Sequence, residues 1–426
     1  MILGLPAKRV GENLPPIPAA QARATPMTAE APSPKPTRLG SIDAYRGLVM
    51  LLMMAEVLRL RKVAQALPES GFWRFLAHHQ SHVEWVGASL HDFIQPSFSF
   101  LVGVAMPFSL AARAARGESR ARQAAHALWR AAALILLGVF LRSTGRGITN
   151  WTFEDTLTQI GLGYVFLFAL GLAGSMRAAW TAFGAILAGT WAAFVLWPGP
   201  GPGFDPAKVG VSAAWLEAHG LSGFAAHWQK NANPAWAFDT WWLNLFPREK
   251  PFLFNGGGYA TLSFIPTLAT MILGLIAGRV LREEREPAAR LRWLVKAGAA
   301  CLLAGAALGW LGICPVVKRI WTPSWVLVSG GAALWALALA HWAVDVRGRR
   351  TWAFPLVVVG ANSIAAYLIA HLFDAFIAKN LVTHLGTGVF RSLGAPYEPL
   401  LHGGATLLVL WLLLLWMWRR RILLRI

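Results

Sequence analysis

The chain has 426 residues, of which 56% are hydrophobic and only 14% are charged, and its 39 basic residues outnumber its 20 acidic residues to give a formal net charge of +19. Because soluble domains carry about 25% charged residues, this composition excludes an ordinary soluble enzyme, and its hydrophobicity excludes a disordered chain. A nucleic-acid partner is not expected, since a nucleic-acid-binding protein would not need this much apolar surface. The positive charge is better explained as a signal of membrane topology.

Apolar segments of about 20 residues, long enough to cross a bilayer, recur along the chain. Ten spans are predicted, at residues 44–60, 93–113, 125–142, 156–174, 178–197, 261–281, 293–313, 323–343, 352–377 and 402–418. The predicted fold is therefore an all-α, polytopic membrane helical bundle of about ten transmembrane helices.

Two segments stand apart from these spans. Residues 1–38 are rich in Pro and Ala and are predicted to form a disordered cytoplasmic tail. Residues 198–260 are too polar to span a membrane and are rich in Trp, so we expect a long periplasmic loop packed on the membrane domain, which covers 39–426. Trp236, Trp241 and Trp242 in this loop belong either to an interfacial aromatic belt or to a sugar-stacking surface.

The distribution of arginine sets the predicted orientation. Arginines cluster after the second, sixth and eighth spans and again after the last span. If the N-terminus is cytoplasmic, more than half of all Lys and Arg residues fall on the cytoplasmic side, as the positive-inside rule requires. An even number of spans returns the C-terminus to that side. We therefore predict a multi-pass protein of the cell (inner) membrane with both termini in the cytoplasm.

Charged residues in the first span are candidates for function, because charge is costly inside a membrane. Asp43 and Arg46 are three residues apart on one helix and can pair with each other, which either anchors the helix or leaves a contact for an anionic cofactor. Glu56, nearer the outer end, is either a base or a partner of Arg59.

A cluster of histidines precedes and enters the second span. His78, His79, His82 and His91 lie within a short stretch that also holds Glu84 and Asp92. A neutral imidazole can take a proton near pH 7 and return it, and a nearby carboxylate can fix its tautomer. Two other interpretations are a metal site built on three imidazoles, including those of His79 and His82, with Asp92, and a solvated polar loop. No metal is expected, because the spacing matches no recognised zinc pattern.

Five segments, in order, resemble the conserved segments of the heparan-α-glucosaminide N-acetyltransferase family and its bacterial relatives. They are Ser41–Leu48, His82–Gly87 followed by Asp92 and Pro96, Gln159–Gly161, Pro315–Ser324, and Asn362–Ile364 with Tyr367. The resemblance runs from about residue 38 to residue 420. It implies a transmembrane acyltransferase that moves an acetyl group from cytosolic acetyl-CoA to a sugar, in particular an amino sugar, on the periplasmic side.

The resemblance also implies roles for individual residues. The family's active-site histidine falls on His82, which would act as a base or as a transient acetyl carrier. The family often has an asparagine near the outer end of the first span, where this chain has Glu56, and the usual arginine after Gln159 is absent. We expect His82, Asp92 and Glu56 to be catalytic. The expected substrate-binding residues are Trp85, Gln95, Gln159, Lys318, Trp321 and Asn362, and the expected acetyl-CoA-binding residues are Asp43, Arg46 and Arg130.

Lys318, Asn362 and Gln159 are the candidate donors to a tetrahedral oxyanion. The expected partners are acetyl-CoA, a sugar or glycan acceptor and membrane lipid, and the family resemblance adds a homodimer as a candidate assembly. The alternative function is a transporter or flippase for a small sugar or a lipid-linked glycan. That alternative predicts discontinuous helices and an internal repeat, and no repeat is evident in the sequence.

Overall fold

The computed structural model describes residues 39–283 and 285–424, so the predicted disordered tail at 1–38 lies outside the described residues. In the described part of the chain, regular structure is helical apart from one antiparallel pairing between Val86 and Val317. The α-helices, in chain order, are α1 Gly40–Met54, α2 Leu60–Ala66, α3 Gly71–His79, α4 Ile94–Ala115, α5 Arg120–Ser143, α6 Thr156–Ala173, α7 Met176–Leu196, α8 Ala213–His219, α9 Pro234–Trp242, α10 Phe264–Arg282, α11 Pro287–Trp310, α12 Pro323–Ala340, α13 Phe354–Ala361, α14 Ser363–Phe390 and α15 Glu398–Arg419.

Nine helical segments in the described residues are long and apolar enough to cross a membrane. They are Leu90–Ala115, Arg120–Ser143, Thr156–Ala173, Met176–Leu196, Thr261–Arg282, Pro287–Trp310, Pro323–Val346, Ser363–Phe390 and Ala395–Arg419. They overlap nine of the ten predicted spans and confirm an all-α polytopic membrane protein. The remaining predicted span, 44–60, corresponds to α1, a helix of 15 residues continued by the 3₁₀ turn Ala55–Leu58.

The bundle has two chemically different ends. One end, here called the basic end, carries the connections α4–α5, α6–α7, α10–α11 and α12–α13 together with the start of α1 and residues 420–424. Side-chain contacts join these pieces: Ser41 hydrogen-bonds Asp345, and Arg279 donates to the carbonyl of Ser175 at 2.8 Å. The opposite end, here called the loop end, carries residues 55–89, 144–155, 197–260, 311–322 and 391–397.

Helices α4 and α10 pack backbone against backbone at the centre of the bundle. A Cβ atom added at Gly103 would lie 1.8 Å from the carbonyl oxygen of Met271, and one added at Gly274 would lie 2.0 Å from that of Phe100. Glycine permits this approach because it has no side chain, and small residues are a common basis of helix association in membranes. The contact thereby holds α10 directly against α4, the helix that follows the histidine cluster.

The predicted span 352–377 is wrong as a single helix, because the chain breaks at Asn362 between α13 and α14. Asn362 has φ −132° and ψ 44°, outside the helical region. Its side-chain amide donates to the carbonyl of Ile422 at 2.9 Å and accepts from the amide of Leu424 at 3.0 Å. The buried Asn362 side chain thus satisfies backbone groups of the segment after α15. The apolar pattern of the sequence does not reveal this contact or the break that goes with it.

The long segment 197–260 holds α8, α9 and several 3₁₀ turns. Trp228 is fully buried there, and its carbonyl accepts a hydrogen bond from the indole of Trp85 at 3.2 Å. Asp239 on α9 accepts from the backbone amide of Thr261 at 2.9 Å, which ties the segment to the beginning of the α10 span. These contacts fix the wall of the loop end next to the histidine cluster.

Candidate functional site

His82 and Asp92 form the first element of the site. Asp92 lies in the 3₁₀ turn Leu90–Phe93 that leads into α4, and its Oδ2 accepts from the backbone amide of Ser89 at 2.9 Å. Its Oδ1 lies 2.8 Å from Nδ1 of His82. The Asp92 side chain is only 1% exposed, whereas that of His82 is 38% exposed. A carboxylate held in this way favours the proton on Nδ1 of His82 and leaves Nε2 to accept a proton.

Lys318 joins this pair from a segment more than 200 residues away. Its Nζ lies 3.4 Å from Oδ1 of Asp92, 3.0 Å from Nδ1 of His82 and 3.4 Å from Nε2 of the same ring. The Lys318 side chain is 4% exposed, so its charge is balanced inside the protein by Asp92. The ammonium group therefore lies beside the imidazole nitrogen at which a proton would move.

Backbone pairing fixes the two segments that supply His82 and Lys318. The amide of Gly87 donates to the carbonyl of Val316 at 2.9 Å, next to the pairing of Val86 with Val317. Arg319 adds a second connection, since its guanidinium donates to the carbonyl of Val83 at 3.1 Å. The site therefore depends on contacts between distant parts of the chain rather than on one motif.

Burial governs the protonation of the two basic groups. Burial lowers the pKa of His82, and the nearby Lys318 lowers it further, while Asp92 acts in the opposite direction. Burial also lowers the pKa of Lys318 to about 8, again opposed by Asp92. At neutral pH the site therefore combines a neutral imidazole with a lysine that still carries its proton.

A second histidine–carboxylate pair lies beside the first. Nε2 of His91 is 2.9 Å from Oε1 of Glu56, and the rings of His91 and His82 have centroids 4.6 Å apart with an interplanar angle of 49°. Glu56 comes from the 3₁₀ turn after α1, so this pair joins the first span to the start of the second. Of the two interpretations of Glu56, the pairing with Arg59 is not the one found, because its carboxylate contacts His91 instead.

Both histidines open into a cavity of about 180 Å³ at the loop end. Polar groups from α5, α14 and the loops also line it, and Arg142 pairs there with Asp155 at 3.2 Å. Burial raises the pKa of Glu154, another lining residue. The ionisable or polar lining residues are Glu56, His82, His91, Gln95, Arg142, Glu154, Thr156, Tyr259, Lys318, Tyr367 and His371.

A larger cavity of about 560 Å³ lies toward the basic end. Arg46, Arg113, His126 and Arg130 contribute its basic lining, and Phe98 lines both this cavity and the smaller one. The guanidinium of Arg130 lies 4.9 Å from the centroid of the Tyr164 ring, and its buried Nε has no hydrogen-bond partner among the described residues. A buried donor without a partner in a basic cavity suits an anionic ligand such as a phosphate.

The structure brings together most of the residues singled out in the sequence. His82, Asp92, Glu56, Gln95 and Lys318 lie in or against the smaller cavity. Arg46 and Arg130 line the larger cavity, and Asp43 pairs with Arg46 at 3.4 Å.

Four predicted substrate-binding residues line neither cavity and have other partners. Trp85 donates to the carbonyl of Trp228, and Trp321, at φ 51°, donates to the hydroxyl of Thr270 at 3.1 Å. Gln159 donates to the carbonyls of Phe153 and Thr261, and Asn362 holds the segment after α15. Most of their polar groups bond to other groups of the protein interior, and their part in substrate binding stays a prediction.

Several cavity residues were not selected as site residues from the sequence. They are His91, Arg142, Glu154, Tyr259, Tyr367 and His371. The available signal was the presence of ionisable groups at span ends, since such residues in membrane proteins are functional candidates. The metal interpretation gains no support, because no group of three His, Cys, Asp or Glu residues in 39–283 and 285–424 is placed to hold an ion.

Fold and site together define a class: a multi-pass, all-α membrane protein with a buried His–Asp–Lys cluster near one end and a basic cavity toward the other. No family model matches the chain. The heparan-alpha-glucosaminide N-acetyltransferase of Homo sapiens is 23% identical over 382 residues, covering 80% of this chain and 54% of the human protein. The protein of the same name from Mus musculus is 23% identical over 387 residues, covering 81% and 56%. The chain is therefore a distant relative of these enzymes, and it spans about half the length of the curated relatives it matches.

Proposed function

We propose that this protein is a transmembrane acetyltransferase that transfers the acetyl group of acetyl-CoA, bound at the basic end, to an amino sugar at the loop end. The names of the relatives support the reaction class. The observation that carries the proposal is the pair of cavities that share Phe98, one basic and one containing the histidine cluster. In this proposal a donor with an anionic head and a long, narrow arm has its head in the larger cavity and its reactive end in the smaller cavity, beside His82.

The larger cavity supplies the groups that a phosphorylated donor requires. Arg46, Arg113 and Arg130 are positioned to bind phosphate oxygens, and the apolar lining beyond them suits an uncharged arm. Leu101, Met106 and Leu134 form part of that lining. In this proposal the smaller cavity holds the thioester and the acceptor.

The chemistry then follows from the positions of His82, Asp92 and Lys318. Nε2 of His82 takes a proton from the acceptor nitrogen as this atom attacks the thioester carbonyl carbon. The Lys318 ammonium stabilises the oxyanion that forms, because it is buried and held close to the reacting nitrogen. As the carbon–sulfur bond breaks, His82 returns its proton to the thiolate of coenzyme A. Asp92 keeps the imidazole oriented and stabilises its positive charge between these two steps.

The proposed orientation places the basic end in the cytoplasm. The arginines of the α4–α5, α10–α11 and α12–α13 connections lie at that end, as the positive-inside rule expects of cytoplasmic segments. The loop end would then face the periplasm, and the acceptor would be acetylated there while the donor stays on the cytoplasmic side.

The direct test uses purified protein in detergent with acetyl-CoA labelled in the acetyl group and a panel of amino sugars. We expect label transfer by the wild type and a loss of about 100-fold or more in His82→Ala, because general base catalysis contributes at least that much. His78→Ala is the matched control, since His78 is exposed and lines neither cavity. Both variants should keep the increase in thermal stability that acetyl-CoA produces.

Two results would contradict the proposal at different levels. If the wild type transfers no label and acetyl-CoA does not change its thermal stability, the enzyme is not an acetyl-CoA-dependent transferase. If His82→Ala transfers label at the wild-type rate, the reaction class survives but His82 is not the base.

A further inference from the structure

The smaller cavity contains two histidine–carboxylate pairs where one base is enough for a simple acyl transfer. His82 pairs with Asp92 at 2.8 Å, and His91 pairs with Glu56 at 2.9 Å. Both rings line the cavity, and their centroids are 4.6 Å apart. The mechanism proposed above uses only the first pair.

The two pairs differ in their access to solvent. Asp92 is 1% exposed, whereas the carboxylate side chain of Glu56 is 57% exposed and its partner His91 is 8% exposed. The second pair therefore leads from the buried cavity toward water. Because the Glu56 carboxylate favours the proton on Nε2 of His91, Nδ1 of that ring is left as a proton acceptor.

An amine acceptor has one more proton to lose than an alcohol. A basic amine is largely an ammonium ion at neutral pH, and an ammonium nitrogen has no lone pair with which to attack a carbonyl. It must lose one proton before the attack and a second one during acyl transfer. One imidazole can exchange the second proton with the leaving thiolate, but the first proton needs another acceptor and a route to solvent.

We propose that His91, oriented by Glu56, is a second catalytic base that removes the first proton from an ammonium acceptor. This inference rests on the proposed acetyl transfer and adds a step to it. His91 takes a proton from the ammonium group to give the free amine, and the amine nitrogen then forms its bond to the acetyl carbon. His82 takes the second proton and gives it to the sulfur as the carbon–sulfur bond breaks. The proton on His91 leaves past Glu56 to water, so each turnover releases one proton, one acetylated amine and one free thiol.

The charges around the second pair are consistent with this path. His82, His371 and Lys318 line the cavity near Glu56 and His91, and Glu154 lines the same cavity. Asp92 lies behind His82 and balances Lys318. Glu56 is therefore the carboxylate in direct contact with His91, and it both attracts an ammonium group and stabilises the imidazolium that forms.

The test compares His91→Gln with the wild type on two amine acceptors that differ in basicity. One is an alkyl amino sugar, which is an ammonium ion at pH 6, and the other is an aminophenyl glycoside, whose aromatic amine is neutral at that pH. At pH 6 we expect the variant to lose about 100-fold in kcat/KM on the alkyl amine and less than about threefold on the aromatic amine. The loss on the alkyl amine should shrink as the pH rises and free amine becomes available. Glu56→Gln, which keeps a hydrogen-bonding group next to His91, should show the same pattern with a smaller loss.

A merely structural role for His91 gives a different result. It would lower activity on both acceptors by the same factor at every pH, and that result would overturn the inference. The acetyl-CoA-dependent thermal shift of each variant reports whether it is folded.

Binding of the alkyl amino sugar without acetyl-CoA, followed by calorimetry, separates this inference from the function it rests on. Suppose that the wild type transfers no acetyl group but binds the amine, and that Glu56→Gln weakens this binding. The proposed transferase activity would then be refuted, whereas the ammonium-binding site at Glu56 and His91 would be retained. Equal binding by wild type and Glu56→Gln, without transfer, would refute both.

Discussion

The pKa of Lys318 is set by two opposing physical effects. Burial penalises its charge, while the Asp92 carboxylate at 3.4 Å favours that charge, and the outcome is a pKa of about 8. Lysine at the surface of a protein titrates near 10.4, so Lys318 loses its proton much closer to neutral pH. In the proposed mechanism, Lys318 can therefore stabilise an oxyanion only at pH values below about 8.

This dependence predicts a bell-shaped pH profile for kcat/KM. On the acid side, activity should persist below the ordinary histidine pKa of about 6.5, because the lowered pKa of His82 keeps the imidazole neutral there. On the alkaline side, activity should fall near pH 8 as Lys318 becomes neutral.

The matched variant is Lys318→Arg, measured over the same range. A guanidinium does not lose its proton in this range, so the alkaline decrease should move upward or disappear even if the maximal rate is lower. An alkaline limb that stays near pH 8 in Lys318→Arg would assign it to a different group.

At the scale of elements, the contact between α4 and α10 depends on glycines that leave no room for a side chain. The Gly274→Ala substitution places a Cβ within 2.0 Å of the Phe100 carbonyl oxygen, so the helices must separate. We expect the free energy of unfolding to fall by about 1–3 kcal/mol, as for other overpacked sites. Gly189→Ala in α7 is the control, because nothing lies within 4 Å of its added Cβ, and it should be neutral or slightly stabilising.

Thermal unfolding in detergent measures both variants. Equal melting temperatures for Gly274→Ala and the wild type would mean that α4 and α10 do not approach as closely as described. Since Phe98 and Gln95 lie on α4, a lowered melting temperature should be accompanied by weaker acetyl-CoA binding.

Most of the spans could be predicted because a membrane helix is a local pattern that depends on run length. The break at Asn362 could not be predicted in this way, because its apolar surroundings continue across the break. Its hydrogen-bond partners, Ile422 and Leu424, lie 60 and 62 residues away. Likewise, α1 is shorter than its apolar run, since the chain enters a 3₁₀ turn at Ala55.

The site was predictable only in part. The sequence offers two carboxylates near His82, Glu84 and Asp92, and does not decide between them. Nothing local in the sequence shows that Glu56 meets His91 rather than Arg59. Trp85, Gln159 and Trp321 are residue types that often bind ligands, but here their side-chain N–H groups donate to other groups of the protein. Contacts between distant segments decide whether such a residue faces a cavity or bonds within the protein. A single sequence does not show these contacts.

At the scale of the whole molecule, the proposed orientation in the membrane can be tested without measuring enzymatic activity. In a Cys301→Ala, Cys314→Ala background, single cysteines are placed at Arg120 on the basic end and at Gly201 on the loop end, both exposed. In intact cells a membrane-impermeant maleimide should label Gly201→Cys and not Arg120→Cys. In inverted membrane vesicles the pattern should reverse. Labelling of Arg120→Cys from outside intact cells would invert the proposed topology and place the donor on the wrong side.

The antiparallel pairing of Val86 with Val317 also has a consequence for synthesis of the protein. His82 and Asp92 are made early in translation, whereas Lys318 and Val317, the partner of Val86, follow only after α11 has been made. A growing chain thus contains an imidazole and a carboxylate but lacks the ammonium group that completes the cluster. The His82–Asp92–Lys318 cluster is therefore completed in a single late step, when the two distant segments meet.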